Sequence, residues 1–326
     1  MAVTLLDMMI NRDPTDPRLT PISLRKELLG EGLHDRIIAA LVADGTIVRV
    51  RHGAYANGEA WRACDEAGRH AIRTRAALKQ ARAELVASHL SAANEWEVPL
   101  WDIDLSTVHT TRLDNKPGRR REAGIVQHLG ELRDGDTTEM NGVRLTAATR
   151  TTVDCMTIFD VEHGVTTLND MLHRKLTTLA EIDACIEFME RWPGTLAHRV
   201  VRRLATDKPE SVGENRSWYL FWRQGLPMPQ PQYEVHDAQG NLIARVDFAW
   251  PELRVFVEFD GRVKYEPVAD EDDSPTTVML REKRREERVC ELTGWRCIRI
   301  TWADLYHPER TAGRIRAAFS PVVAAG

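Results

Sequence analysis

Residues 242–260 read L-I-A-R-V-D-F-A-W-P-E-L-R-V-F-V-E-F-D. Apolar residues run through both halves, and Pro251-Glu252 interrupts them, so the stretch predicts two strands joined by a tight connection. Side chains alternate along a strand, so Glu258 and Asp260 share one face while Val257 and Phe259 take the other. Asp247 lies near the end of the first strand, which brings three acids to one region of an otherwise apolar sheet. Burying carboxylates is costly unless a positive charge compensates. A Mg²⁺ or Mn²⁺ ion is suited to that role, because it takes a few carboxylate oxygens and leaves room for water and phosphate.

Outward from this pair, residues 213–224 predict a helix carrying Glu214, and residues 232–236 a strand. After the acids, residues 278–293 predict a helix, 295–301 a strand and 308–319 a closing helix. On the 278–293 helix, a 100° spacing puts Glu282, Lys283 and Glu286 in the same stripe as Met279, Val289 and Cys290. A lysine so aimed would face the acids and steady charge at a phosphate; the same stripe also reads as a salt-bridged core, or as a helix rotated so that its charges are solvated. The acids at 270–273 read as a solvated loop, and the tryptophans of this block as core.

The rest of the chain has a different texture. In residues 1–57, two short helices (22–29 and 33–43) precede an alternating basic run, T-I-V-R-V-R-H-G-A-Y at 46–55, that turns at Gly53. That is the element order of a winged helix-turn-helix. Arg36 sits at the start of its second helix and Arg49, Arg51 and His52 on its wing, where they would meet a DNA backbone or groove, the other reading of the wing being a solvated strand face. Residues 58–204 are mixed, with a long helix expected at 64–90, strands at 108–111 and 143–145, and helices at 151–159 and 164–189. The run 112–121 carries five basic residues and one acid, and reads equally as a DNA-contacting loop or as solvated charge. Ser88-His89 has no evident third partner and reads as a cap or core pair.

Composition bounds the function. The 326 residues are 43% hydrophobic and 29% charged, with a net charge of −5, which is the balance of a folded globular chain rather than a disordered one. No apolar run reaches the ~18–20 residues of a membrane span. Residues 1–12 lack the layout of a secretory signal, and the five scattered cysteines form no metal-ligand spacing. These features predict a cytoplasmic protein without membrane partners, and they carry no signal for oligomeric state.

Taken in order, Glu214, V-D-F-A-W at 246–250, V-E-F-D-G-R-V-K-Y at 257–265, R-E-K-R-R-E-E-R at 281–288 and G-W-R-C-I-R-I-T-W-A-D-L at 294–305 resemble the very-short-patch-repair-like branch of the PD-(D/E)XK nucleases. The likeness covers roughly the last third of the chain. It implies a restriction-endonuclease-like α/β/α fold, with Asp247 and Glu258 as the metal-holding acids. The lysine usual two positions after the second acid is replaced by Asp260, so the resemblance leaves Lys264 or Lys283 to act in its place. Upstream, V-A-S-H-L-S-A-A at 86–93, followed by Trp96, Pro99 and Leu100, resembles AbiEi-like antitoxins of type IV toxin–antitoxin systems. That likeness implies a DNA-binding wing.

The expected architecture is therefore α+β and multidomain: a winged helix-turn-helix (1–57), an AbiEi-like mixed α/β region (58–204) and a PD-(D/E)XK nuclease-like domain (205–326). The expected function is Mg²⁺- or Mn²⁺-dependent phosphodiester hydrolysis on DNA. Asp247, Glu258 and Glu214 would hold the metal; Asp260, Lys264 and Lys283 would support catalysis; Arg285 would contact phosphate. The setting implied is phage defence, toxin–antitoxin control or DNA repair, with a cognate toxin or defence protein as partner. A transcriptional regulator or antitoxin with an inactive nuclease-like domain is the alternative, favoured by the broken E-x-K pattern. A ribonuclease is a third reading, since metal–carboxylate chemistry does not distinguish the sugar.

Overall fold

The computed structural model describes residues 12–114, 121–261 and 275–319. Lys264, the acids at 270–273 and the tip of the basic run 112–121 lie outside them. The fold is mixed, with helices and three sheets, in two compact units: residues 1–167 with 175–201, and residues 168–174 with 202–326.

Unit 1 begins with β1 (Ser23–Leu24), α1 (Arg25–Gly30) and α2 (Asp35–Ala43), followed by the hairpin β2 (Ile47–Arg51) and β3 (Ala54–Asn57). The sheet order is β1-β3-β2, all antiparallel. Gly53 turns the hairpin with φ +72°, a conformation that costs a glycine nothing. Ala54 and Ala56 pack with Ile22, Leu24 and Ile72, which seats the hairpin on a later helix of the unit.

The single helix expected at 64–90 is instead several elements: α3 (Gly58–Ala63), α4 (Glu66–Gln80), β4 (Leu85–Ala87) and α5 (His89–Glu95). Asp65 starts α4 afresh, its side chain accepting from Gly68 N. Beyond Gln80, Leu85-Val86-Ala87 pairs with a strand rather than extending the helix. That strand is β5 (Val108–Arg112), followed by β6 (Arg121–Glu122), β7 (Ile125–His128), β8 (Thr137–Met140) and β9 (Val143–Thr146). They form a six-stranded sheet of order β6-β7-β5-β4-β9-β8. Next comes α6 (Ala148–Met156), which is buried along nearly its whole length. The helix expected at 164–189 divides into α7 (Val161–His173) and α8 (Leu179–Phe188). Lys175, at φ +57°, breaks it, and a Thr178–Glu181 capping box restarts it. The helix α9 (His198–Arg203) follows.

Unit 2 is built on α10 (Val212–Arg223), β10 (Gln230–His236), β11 (Leu242–Trp250), β12 (Val255–Asp260), α11 (Pro275–Thr293), β13 (Arg296–Thr301), α12 (Trp302–Leu305) and α13 (Pro308–Ala318). The sheet order is β10-β11-β12-β13; the first three strands are antiparallel, and β13 joins β12 in parallel. A parallel neighbour requires a crossover, and α11 lies in that connection. Phe221, Phe248, Val257, Ile300 and Ile315 form one core, which gathers α10 and α13 against the sheet. Val246, Ala249, Phe256 and Val289 form the other, with Val289 contributed by α11. The layers are thus helix, sheet, helix. Gly213 permits the close approach of α10, because a Cβ there would lie 1.9 Å from the Phe259 ring.

Candidate metal centre

The paired strands β11 and β12 bring the acids together. Phe248 pairs with Val257, so one residue further along the ladder Asp247 stands opposite Glu258. Asp247 Oδ2 accepts a hydrogen bond from Phe259 N at 2.7 Å, which fixes its orientation. The two carboxyl groups are close enough for the charge of Asp247 to act on Glu258. Burial raises the pKa of Asp247, and the Phe259 amide and the Arg285 charge only partly offset it. Burial and then the Asp247 charge push Glu258 up to about 7, against the pull of Arg285 and Arg299. Two facing carboxylates cannot both ionise cheaply, so each disfavours the charged form of the other.

A cleft of about 170 Å³ opens beside the pair, lined by Glu258, Asp260, Gly261, Arg285, Glu286 and Arg299. Arg285 Nη2 lies 3.2 Å from Glu258 Oε1. Arg299 is anchored by Glu286 Oε2, 2.9 Å from its Nε and 2.7 Å from its Nη2, and its Nη1 lies 3.7 Å from Asp260 Oδ2. The cleft therefore sets Glu258, with Asp247 opposite it on the ladder, beside two guanidinium groups.

Several expectations are corrected by this geometry. Lys283 does not face the acids: its side chain is 70% exposed and its Nζ lies 3.9 Å from Glu287 Oε1. The helix is rotated so that Arg285 and Glu286 reach the cleft. Glu214 is buried, but its oxygens accept from Ser211 Oγ, Glu210 N and Gln232 Nε2. It therefore closes the start of α10 rather than offering a free ligand atom. Asp260 shares the face of Glu258 but is drawn toward Arg299. Among the described residues, no group of three or more His, Cys, Asp or Glu side chains is arranged to hold a metal. The donors that fit an ion are the two carboxylates of Asp247 and Glu258, whose pKa values are raised first of all by burial. A Mg²⁺ or Mn²⁺ ion with its remaining positions on water fits that donor set.

The nucleic-acid candidates divide. Arg36, Arg49 and His52 are exposed, while Arg51 is half-buried and its Nε donates to Gln80 Oε1 at 3.2 Å. A register shift between Arg49 and Arg51 turns the second arginine toward α4, which the simple alternation did not foresee. Arg299 was missed. Its signal is the parallel register that sets it beside Glu258, a pairing invisible until β13 is placed.

No family model matches the chain. It is similar to the uncharacterized protein MT2308 of Mycobacterium tuberculosis (strain CDC 1551 / Oshkosh), at 28% identity over 276 residues, covering 84% of this chain and 93% of the relative. The uncharacterized protein Rv2248 of Mycobacterium tuberculosis (strain ATCC 25618 / H37Rv) matches with the same identity and coverage. Among the described residues, no helix is long and apolar enough to cross a membrane.

Proposed function

We propose that the chain is a DNA-binding protein whose unit 2 is a PD-(D/E)XK-like, Mg²⁺- or Mn²⁺-dependent nuclease domain and whose first elements form a winged helix. The observation that carries the reading is the coupled Asp247–Glu258 pair at a cleft lined by arginines. Asp247 and Glu258 would hold the ion, which when bound supplies charge neutralisation at the scissile phosphate and a more acidic water. Asp247 is aimed by the Phe259 amide. Glu258 would release its proton as the ion binds. Arg285 and Arg299 supply fixed positive charge for a phosphate in the cleft, the task the missing E-x-K lysine would otherwise share. Arg36, Arg49 and His52 give unit 1 an exposed basic surface for the DNA backbone.

A second reading, a transcriptional regulator or antitoxin with an inactive nuclease-like domain, is favoured by one specific observation. Among the described residues no lysine lines the cleft, and Arg285 already contacts Glu258. Incubating the protein and its Asp247→Asn variant with plasmid and single-stranded DNA, in Mg²⁺, Mn²⁺ or chelator, separates the two. Metal-dependent cleavage by the wild type, reduced more than ~10²-fold in the variant, supports the nuclease. DNA binding without cleavage in any metal supports the regulator.

A further inference from the structure

Unit 1 contains a polar cavity that the nuclease reading does not use. At the junction of β4 and α5, His89 takes φ +48°, a left-handed conformation that a non-glycine residue holds only when its surroundings enforce it. Its Nδ1 lies 3.0 Å from Ser88 Oγ and 3.8 Å from Asp154 Oδ2. No described residue hydrogen-bonds to its Nε2, although the residue is only 6% exposed. Asp154 is 1% exposed, and its Oδ2 is buried without a hydrogen-bond partner. The His128 ring stacks on His89, with centroids 3.5 Å apart and planes 15° apart, and is itself fixed by His109 Nδ1, 2.9 Å from its Nε2.

A cavity of about 310 Å³ opens onto these groups, bounded also by Leu129, Met189, Arg191 and Trp192. Trp192 is held in place by Arg150, whose guanidinium lies 4.9 Å from the ring centre. It is admitted by Gly130, where a Cβ would lie 2.4 Å from the indole. Burial keeps the imidazoles neutral, lowering His109 to about 3 and His128 to about 4. The inner wall is therefore aromatic and hydrogen-bonding, and its charge is carried by Arg150, paired with Asp154 at 2.8 Å. Two rings stacked face to face do not converge their nitrogens on one ion, which argues against a metal here.

We propose that this cavity receives a single unpaired nucleobase, its edge hydrogen-bonded to His89 Nε2 and its face against Trp192. Arg191, exposed at the rim, is placed for the attached phosphate. The volume lies at the small end of ligand cavities, ~300–1,000 Å³, and suits one base rather than paired strands. Aromatic and imidazole rings beside arginine are the surfaces on which unstacked bases bind.

The test is calorimetric titration of the full chain, in chelator so that the carboxylate cleft of unit 2 plays no part. The probes are the four nucleoside 5′-monophosphates, single-stranded dodecamers and ribose 5-phosphate. Saturable binding of at least one monophosphate or dodecamer, with ribose 5-phosphate at least tenfold weaker, is the expected result. Monophosphates and dodecamers distinguish a free nucleotide from a base within a strand. Leu129→Trp, at a 38% exposed position on the rim, should fill the cavity and abolish binding. His89→Asn, which tolerates the left-handed backbone, should weaken it about tenfold. Equal affinity for ribose 5-phosphate, no binding of any nucleotide, or unchanged affinity in folded Leu129→Trp and His89→Asn proteins would each overturn the proposal.

Discussion

Replacing Glu258 with Gln should stabilise the metal-free protein, and only at high pH. The Glu258 carboxyl is raised from 4.5 to about 7 in the folded chain, so folding takes up a proton between those values. Stability carried by this group is therefore full below the unfolded value and declines as pH rises toward 7. At about 1.4 kcal/mol per pH unit, the decline amounts to roughly 3 kcal/mol. The variant would lose the contact with Arg285, which is half-exposed and contributes at most about 1 kcal/mol. The net expectation is a gain of about 2–3 kcal/mol for Glu258→Gln at pH 8 and close to none at pH 4. Urea unfolding followed by tryptophan fluorescence, in chelator at both pH values, measures it, with Trp218, Trp250 and Trp302 all packed in the unit 2 core. Added Mg²⁺ should raise the wild type at pH 8 and leave the variant nearly unmoved. A variant no more stable than wild type at pH 8, or a gain of equal size at pH 4, would refute the claim that burial and the Asp247 charge disfavour an ionised Glu258 in the folded state.

Other substitutions probe the scaffold and the basic surface. Gly213→Ala forces a methyl group into the Phe259 ring and should destabilise unit 2 by about 1–3 kcal/mol in the same urea experiment. Phe248→Ala empties a fully buried position and should cost about 3–5 kcal/mol, measured likewise. If Arg36 and Arg49 each neutralise one phosphate, the double Ala variant should flatten the dependence of log K on log salt by roughly 1.8, at similar loss for any DNA sequence. Fluorescence anisotropy across a salt series reads that slope, and an unchanged slope would remove both residues from the interface.

The order of elements in unit 2 was legible because turn residues bound its strands, most plainly at 242–260, where apolar runs fill both halves. That Asp247 and Glu258 lie on neighbouring strands also followed from the tight connection, while their direct opposition is set by the register of the ladder. The orientation of α11 did not follow. Its stripe mixes charges with few apolar anchors, so periodicity could not tell Lys283 from Arg285 as the inward cation. Arg299 depended on a parallel pairing made across a crossover, which no local pattern encodes. In unit 1 the 64–90 segment looked helical throughout, because Leu85-Val86-Ala87 is too short to declare a strand until β5 and β9 pair with it. The histidine cavity was hidden for the same reason: His89, His109, His128 and Asp154 come from four separate elements.

The central claim, that Asp247 and Glu258 hold one divalent ion, is tested most directly by titrating Mn²⁺ into the protein at pH 6 while measuring proton release in buffers of different ionisation enthalpy. With Glu258 near 7, binding of one ion should release close to one proton per site, and Asp247→Asn and Glu258→Gln should each abolish both the binding and the release. Saturable binding that survives either substitution, or no binding by the wild type, would contradict the account.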